Sequence, residues 1–241
     1  MLILNRIYQD LISLFHPAVC PGCGKKLPNR VDWICVECMA EMPRTHFHLN
    51  AENPVAQRVK DLNPAVINAT SQFYYVPKGR WRAVIHQMKY HKSWFLALKL
   101  GYWYGCELRE SPLFKEIDMV IAVPLHSKRL TQRRYNQSEI IAAGIANALG
   151  VKHLPHAMVR VRNNLSQVKT NSDLQRWNNV DDLFDVAKIK ELNGQHLLIV
   201  DDVFTTGATL NSCIETLLSK VPSAKISVAT IAVSRRHISK L

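Results

Sequence analysis

Two adjacent carboxylates, Asp201 and Asp202, follow an apolar run at 197–200 and precede a loop of small and hydroxyl residues, Thr205-Thr206-Gly207-Ala208-Thr209. A helix-compatible stretch starts at Leu210. A continuous apolar run is the pattern of a buried parallel strand. Where such a strand gives way to a helix, the helix N-terminus offers unpaired N–H groups and a partial positive charge, which suits a phosphate. Gly207 lets the backbone approach that phosphate closely. The acids repel phosphate, so they serve another part of the same ligand, a sugar diol or a bound metal ion. A ribose 5-phosphate with Mg²⁺ has both parts. The same letters also fit a plain strand–turn–helix with a Thr cap. A Walker-type loop is disfavoured, because no Gly-Lys-Ser/Thr follows.

Four of the six cysteines form two close pairs, Cys20-Pro21-Gly22-Cys23 and Cys35-Val36-Glu37-Cys38. Four thiolates at this spacing point to a tetrahedral Zn²⁺ site, closed and therefore structural. A redox dithiol needs only one pair, and an iron–sulfur cluster is a further alternative. Cys106 and Cys213 stand alone and read as small buried residues.

The chain carries a formal net charge of +12 over 241 residues. That excess favours polyanionic partners or a phosphate-rich substrate. Basic residues cluster at Arg80, Arg82, Lys89 and Lys92, at Lys128, Arg129, Arg133 and Arg134, and at Arg160 and Arg162. The first cluster is interleaved with Trp81, Tyr90, Trp94, Tyr102, Trp103 and Tyr104, a combination that suits single-stranded nucleic acid. Trp94 and Trp103 also fit the inner face of a helix. The second cluster follows a strand ending at Val123 and can neutralise a pyrophosphate. The third, with Gln167, lies in a polar segment able to close over a ligand.

These groups need elements to hold them. The composition, 47% hydrophobic, supports a core. Strands are expected at 70–76, 118–123, 151–161, 196–200 and 225–233. Helices are expected at 80–109, at 136–149 between Asn136 and Gly150, and at 208–220. A polar loop is expected at 165–180. Strands alternating with helices predict a doubly wound parallel α/β sheet. Leu4, Ile7, Leu11 and Leu14 make 1–15 an amphipathic helix. Domain boundaries are expected at 1–50, holding that helix and the cysteine module, and at 51–241. No stretch has the apolar length of a membrane span. Without a recognisable export signal, a cytoplasmic location is expected.

The segment Val200-Asp201-Asp202-Val203-Phe204-Thr205-Thr206-Gly207-Ala208-Thr209 resembles the 5-phosphoribosyl-1-pyrophosphate (PRPP) motif of type I phosphoribosyltransferases. Other segments extend the likeness: the four cysteines, Lys89-Tyr90-His91-Lys92, Pro124-Leu125-His126 with Arg129 and Asn136-Gln137, and Arg162 with Gln167. Together they resemble the ComF family, which joins a zinc finger to a type I phosphoribosyltransferase domain and is associated with natural competence. One departure stands out. Arg133-Arg134-Tyr135-Asn136-Gln137 occupies the place of the family's usual Arg-Gly-Phe-Asn-Gln.

The resemblance implies roles. Asp201 and Asp202 would hold the ribose hydroxyls and help seat Mg²⁺, and 203–209 would bind the remaining ribose phosphate. Lys128, Arg129 and Arg133 would take pyrophosphate, and Arg160, Arg162 and Gln167 would belong to the flexible loop. Arg80, Arg82, Lys89 and Lys92 would face single-stranded DNA. Cys20, Cys23, Cys35 and Cys38 would hold Zn²⁺. DNA-uptake proteins are the expected partners. The competing expectation is a transferase of nucleobase salvage.

Overall fold

The computed structural model describes residues 18–28, 33–90, 93–125, 127–161 and 183–238. The expected helix at 1–15, Lys92, His126, Arg162 and Gln167 lie outside them.

Five strands form one parallel sheet: β1 (Val66–Tyr75), β2 (Met119–Ala122), β3 (Lys152–His153), β6 (His196–Phe204) and β7 (Lys225–Ser234). Their order across the sheet is β1-β7-β6-β2-β3. A short antiparallel pair, β4 (Met158–Arg160) and β5 (Phe184–Val186), stands apart. The expected strand at 151–161 is therefore two short strands in different sheets. Pro155 removes a ladder donor between them.

Alternation along the strands feeds two cores, as a sheet covered on both faces requires. Val120, Ala122, Leu198 and Val200 face one cluster, which holds α3 (Arg80–Tyr90), α4 (Trp94–Glu110) and α6 (Gln137–Leu149). Met119, Ile121, Leu197 and Ile199 face the other, which holds α2 (Pro54–Leu62) and α8 (Ala208–Lys220). The helical stretch expected at 80–109 is two helices rather than one. The helix expected at 136–149 has the predicted ends: the Asn136 side chain accepts from Ser138 N–H, and Gly150 closes it at φ 72°.

Glycines set the distance between α4 and α6. A Cβ on Gly101 would lie 2.3 Å from the Ile141 carbonyl oxygen, and one on Gly144 would lie 2.4 Å from that of Leu98. Only hydrogen fits at either place, so the backbones meet directly.

The strand order locates the site. From β2 the chain passes through α6 to β3 on one side, whereas β6 lies on the other side of β2 and leads outward to β7. The order reverses between β2 and β6. In open α/β sheets ligands bind in the crevice outside the carboxyl ends of such strands.

Candidate functional site

Asp201 and Asp202 sit in that crevice. β2 pairs with β6 from Met119–Leu197 to Ala122–Val200, and Val123 N–H makes the last bond, 2.9 Å to Val200 O. Beyond this point Pro124 departs. β6 continues to Phe204, paired only with β7, through Asp201–Thr230 and Phe204–Val233. The acids were expected just past the strand's end. They lie within it, because β7 carries the ladder four residues further than β2 does.

The two carboxylates turn to different partners. Asp201 Oδ1 accepts from Ser138 Oγ at 3.0 Å and from Asp202 N–H at 2.8 Å. Burial first, and the neighbouring Asp202 charge second, push the Asp201 carboxyl up to about 7. Asp202 Oδ2 lies 2.9 Å from Lys89 Nζ and 3.9 Å from Arg133 NH1. Lys89, Arg133 and Ser138 come from three separate elements, and only Arg133 was assigned to this site from sequence.

The loop after β6 turns into α8 at Gly207. Gly207, at φ 83°, is the N-cap of α8 and has no side chain to cap it, so the hydroxyl nearest the helix start is that of Thr206. A Cβ there would meet Leu62 Cδ1 at 2.6 Å and the Phe204 ring at 3.2 Å. Both the left-handed backbone and the crowding require glycine. Thr206 Oγ1 accepts from Ala208 N–H at 3.4 Å. The exposed Thr205 and Thr206 therefore stand at the positive end of a 13-residue helix.

The basic loop after β2 forms α5 (Ser127–Arg133), whose Arg133 reaches Asp202, while the side chains of Lys128 and Arg129 lie outside the described residues. Arg133 NH1 also donates to Gln137 Oε1 at 2.7 Å. Arg134 adopts the left-handed region, φ 66°, at the position where the family's usual residue is glycine. Tyr135 O–H donates to the Met88 carbonyl, tying this loop to α3.

The first basic cluster is divided between two places. Arg80, at the start of α3, pairs with Glu41 at 2.8 Å beside the cysteines. Arg82 is exposed, and Lys89 reaches the diacid. Trp81 is buried, tilted against Phe73 with ring centroids 5.1 Å apart. Trp94 is 56% exposed, which corrects its inner-face reading. It opens α4, where the buried face starts at Leu96. Trp103 is half-buried, in edge contact with Trp33.

The four cysteines converge. One sulfur from each lies within 4.8 Å of all the others, and Cys23 Sγ is 3.7 Å from Cys35 Sγ. That is too long for a disulfide of about 2.05 Å. It matches the edge of a thiolate tetrahedron, about 3.8 Å for metal–sulfur bonds of about 2.3 Å. Cys35 N–H and Cys38 N–H each donate to a neighbouring sulfur at 3.5 Å. Burial, then hydrogen bonding with the neighbouring sulfurs, pushes the Cys38 thiol far up, whereas at Cys20 burial is outweighed by the N–H groups of Cys35, Cys23 and Gly22, which bring its thiol down to about 6. A Cβ on Gly22 would lie 2.9 Å from Cys38 Sγ. The donor set and spacing fit a metal. Cys20, Cys35 and Cys38 also share one continuous core with Trp81, Val84 and Met88.

The chain is similar in sequence to several known proteins. Residues 136–240 match the family described as phosphoribosyl transferase domain. DNA utilization protein YhgH of Salmonella typhimurium is 27% identical over 86% of this chain and 87% of its own. Competence protein F of Haemophilus influenzae is 28% identical over 89% of this chain and 90% of its own. Competence protein ComFC of Bacillus subtilis is 24% identical over 88% of this chain and 77% of its own. The matched domain begins at the cap of α6 and takes in Ser138, the diacid, the loop and α8. Over most of its length the chain is similar to competence protein F, ComFC and YhgH, and its residues 136–240 match the phosphoribosyl transferase domain.

Proposed function

We propose that this protein binds PRPP with Mg²⁺ at the diacid and works in the handling of single-stranded DNA during competence. The observation that carries the first half is the placing of Asp201 and Asp202 in the crevice between β2 and β6, ahead of the Gly207 turn into α8. In this reading the two carboxylates take the ribose hydroxyls and the metal. The N–H groups of 205–209 take the 5-phosphate, and Val203 and Phe204 shape the floor. Arg133, with Lys128 and Arg129 on the same helix, takes pyrophosphate, and Arg160, Arg162 and Gln167 belong to the segment that closes over it. Mg²⁺ would neutralise the pyrophosphate.

The second half draws on the names of the relatives and on the charge of +12. Arg80, Arg82 and Lys92 are the residues proposed to meet the strand, with DNA-uptake proteins as partners and the cytoplasm as location. Lys89, expected to meet the strand, is proposed instead to belong to the diacid site, where it pairs with Asp202 at 2.9 Å. The cysteine cluster is proposed to hold Zn²⁺, in a module of residues 1–50 set against a domain of residues 51–241. Among the described residues no helix is long and apolar enough to cross a membrane.

Calorimetric titration of PRPP with Mg²⁺ tests the site. Saturable binding, abolished by Asp201→Asn together with Asp202→Asn in a variant that still melts cooperatively, is the expected result. Undiminished binding by that variant would overturn the assignment. For the DNA arm, affinity should fall with salt by roughly 0.7 log units per phosphate contact per log unit of salt. A salt-independent affinity would remove the nucleic-acid reading.

A further inference from the structure

The turn that borders the diacid has a second side. Arg133, Gln137 and Ser138 serve the acids, through the contacts of Arg133 with Asp202 and Gln137 and of Ser138 with Asp201. The residues between and beside them, Arg134, Tyr135, Asn136 and Glu139, line a separate cavity of about 560 Å³. Its far wall comes from β3, β4 and the chain joining them, with His153, Pro155, Met158 and Arg160. The volume lies within the roughly 300–1,000 Å³ of small-molecule sites.

The lining selects a ligand class. Leu125, Ile140, Ala143, Met158 and Val159 give apolar walls, which a bare phosphate would leave uncovered. Glu139 is fixed among them. Its Oε2 is 3.0 Å from His153 Nε2, and its Oε1 accepts from His156 N–H at 3.1 Å, with His156 Nδ1 at 3.8 Å. A carboxylate has about four acceptor positions, so this one retains capacity for a ligand N–H. A fatty chain would meet the carboxylate and imidazoles with nothing to pair them. Arg134 and Arg160 add guanidinium groups, the second held 5.3 Å from the Phe184 ring. Arg134 occupies its place in spite of a left-handed backbone at φ 66°. Non-glycine residues in that region gather at functional sites. A planar heterocycle with a ring N–H, carrying a phosphate, answers all four features.

We infer that this cavity binds one nucleotide, its base between the apolar walls with an N–H toward Glu139 and its phosphate toward Arg134 and Arg160. The choice of ligand rests on the nucleotide-handling reading above, whereas occupancy does not depend on PRPP. The same chemistry is offered by a free nucleotide and by a terminal nucleotide of a strand.

The test titrates dAMP, dCMP, dGMP and dTMP singly into the full chain with its metal, and into Ala143→Phe and Val159→Trp. Both positions line the cavity outside the core, Val159 being 40% exposed, so each variant keeps its buried packing. At least one monophosphate should bind saturably, and each variant should weaken it by about tenfold or more. PRPP binding should be unchanged in both. Competition by a short oligodeoxynucleotide assigns the base to a strand, and its failure assigns it to a free nucleotide. Either result upholds the site. Absence of monophosphate binding by the wild type, or binding indifferent to both variants, overturns it. PRPP titration of the same samples separates the two readings: PRPP bound without any nucleotide removes the cavity site alone, and nucleotide bound without PRPP removes the diacid site alone.

Discussion

Lys89 Nζ stands 2.9 Å from Asp202 Oδ2, with only 19% and 17% of the two side chains exposed. The contact ties the last turn of α3 to β6 and gives the diacid a cation of its own. The cysteine segment is fastened to α3 at both its first turn and a later one. Trp81 Nε1–H donates to Cys38 O at 2.9 Å, and Gln87 Nε2–H donates to Pro21 O at 3.2 Å. One helix thus spans from the proposed metal cluster to the proposed ligand site.

Lys89→Ala should therefore act on the diacid. It removes a charge-assisted contact between half-buried groups, at a cost of about 1–3 kcal/mol. Asp202 is then left beside a second acid with Arg133 as the nearer remaining cation. A divalent ion should take over part of the lost role. The expectation is a lowered melting temperature that rises with added Mg²⁺ in the variant much more than in the wild type. Equal melting temperatures, or equal Mg²⁺ responses, would refute this role for Lys89.

Asp201 sets a pH dependence. Burial and then the Asp202 charge raise its carboxyl to about 7. The folded protein thus holds this proton more tightly than the unfolded chain, whose aspartates titrate near about 4. Stability from this group consequently falls as pH rises from the unfolded value toward the folded one. Ligand affinity runs the opposite way, because Mg²⁺ and a ribose diol call for the ionised form. Mg²⁺-dependent PRPP affinity should climb from about pH 5.5 to about pH 8. Asp201→Asn should flatten the climb. A wild-type affinity independent of pH in that range would count against a raised Asp201.

Metal removal should reach beyond the cysteines. A separate module would melt apart from the domain. Here Cys20, Cys35 and Cys38 pack in one cluster with Trp81, Val84, Ile85 and Met88 of α3. Because metal binding free energy becomes folding free energy at such sites, chelation should lower the temperature of a single transition and change tryptophan emission through Trp81. Gly22→Ala should do the same in milder form, since its Cβ would press on Cys38 Sγ from 2.9 Å. Two resolved transitions after chelation would instead establish an independent module.

How far these relationships were legible depends on their separation along the chain. The diacid, the Gly207 turn and α8 are contiguous, so strand pattern, turn chemistry and helix start reinforce one another within a dozen letters. The cysteine pairs are legible because metal geometry restricts spacing. Asn136 and Gly150 are legible because caps are local. Ser138 is another matter: its bond to Asp201 crosses 63 positions and exists only because β2 and β6 are neighbours. The pairing of Lys89 with Asp202 has the same origin, and sequence placed that lysine with the nucleic-acid group. The true end of β6 was hidden for a similar reason, since it is set by the length of β7. Trp94 reads as a core residue by letter, yet its exposure is decided by where α4 begins.

Arg134 combines a local signal with a tertiary consequence. Sequence likeness flags arginine where glycine is usual, and the backbone there is left-handed at φ 66°. An L-residue in that region costs about 1–2 kcal/mol. Glycine would remove the cost but add freedom to the unfolded chain, recovering less than the full amount. Arg134 N–H donates to Leu130 O at 2.7 Å, and the Tyr135 hydroxyl is fixed on Met88, so the turn is held from both sides and glycine would not loosen it. Arg134→Gly should raise stability by up to about 1 kcal/mol, read as a small increase in denaturant midpoint at constant slope. PRPP affinity should hold, because Arg133 rather than Arg134 approaches Asp202. Nucleotide affinity should fall, because the guanidinium on the cavity wall is gone. A variant that is less stable than the wild type would mean that the arginine side chain contributes more to the turn than its backbone costs.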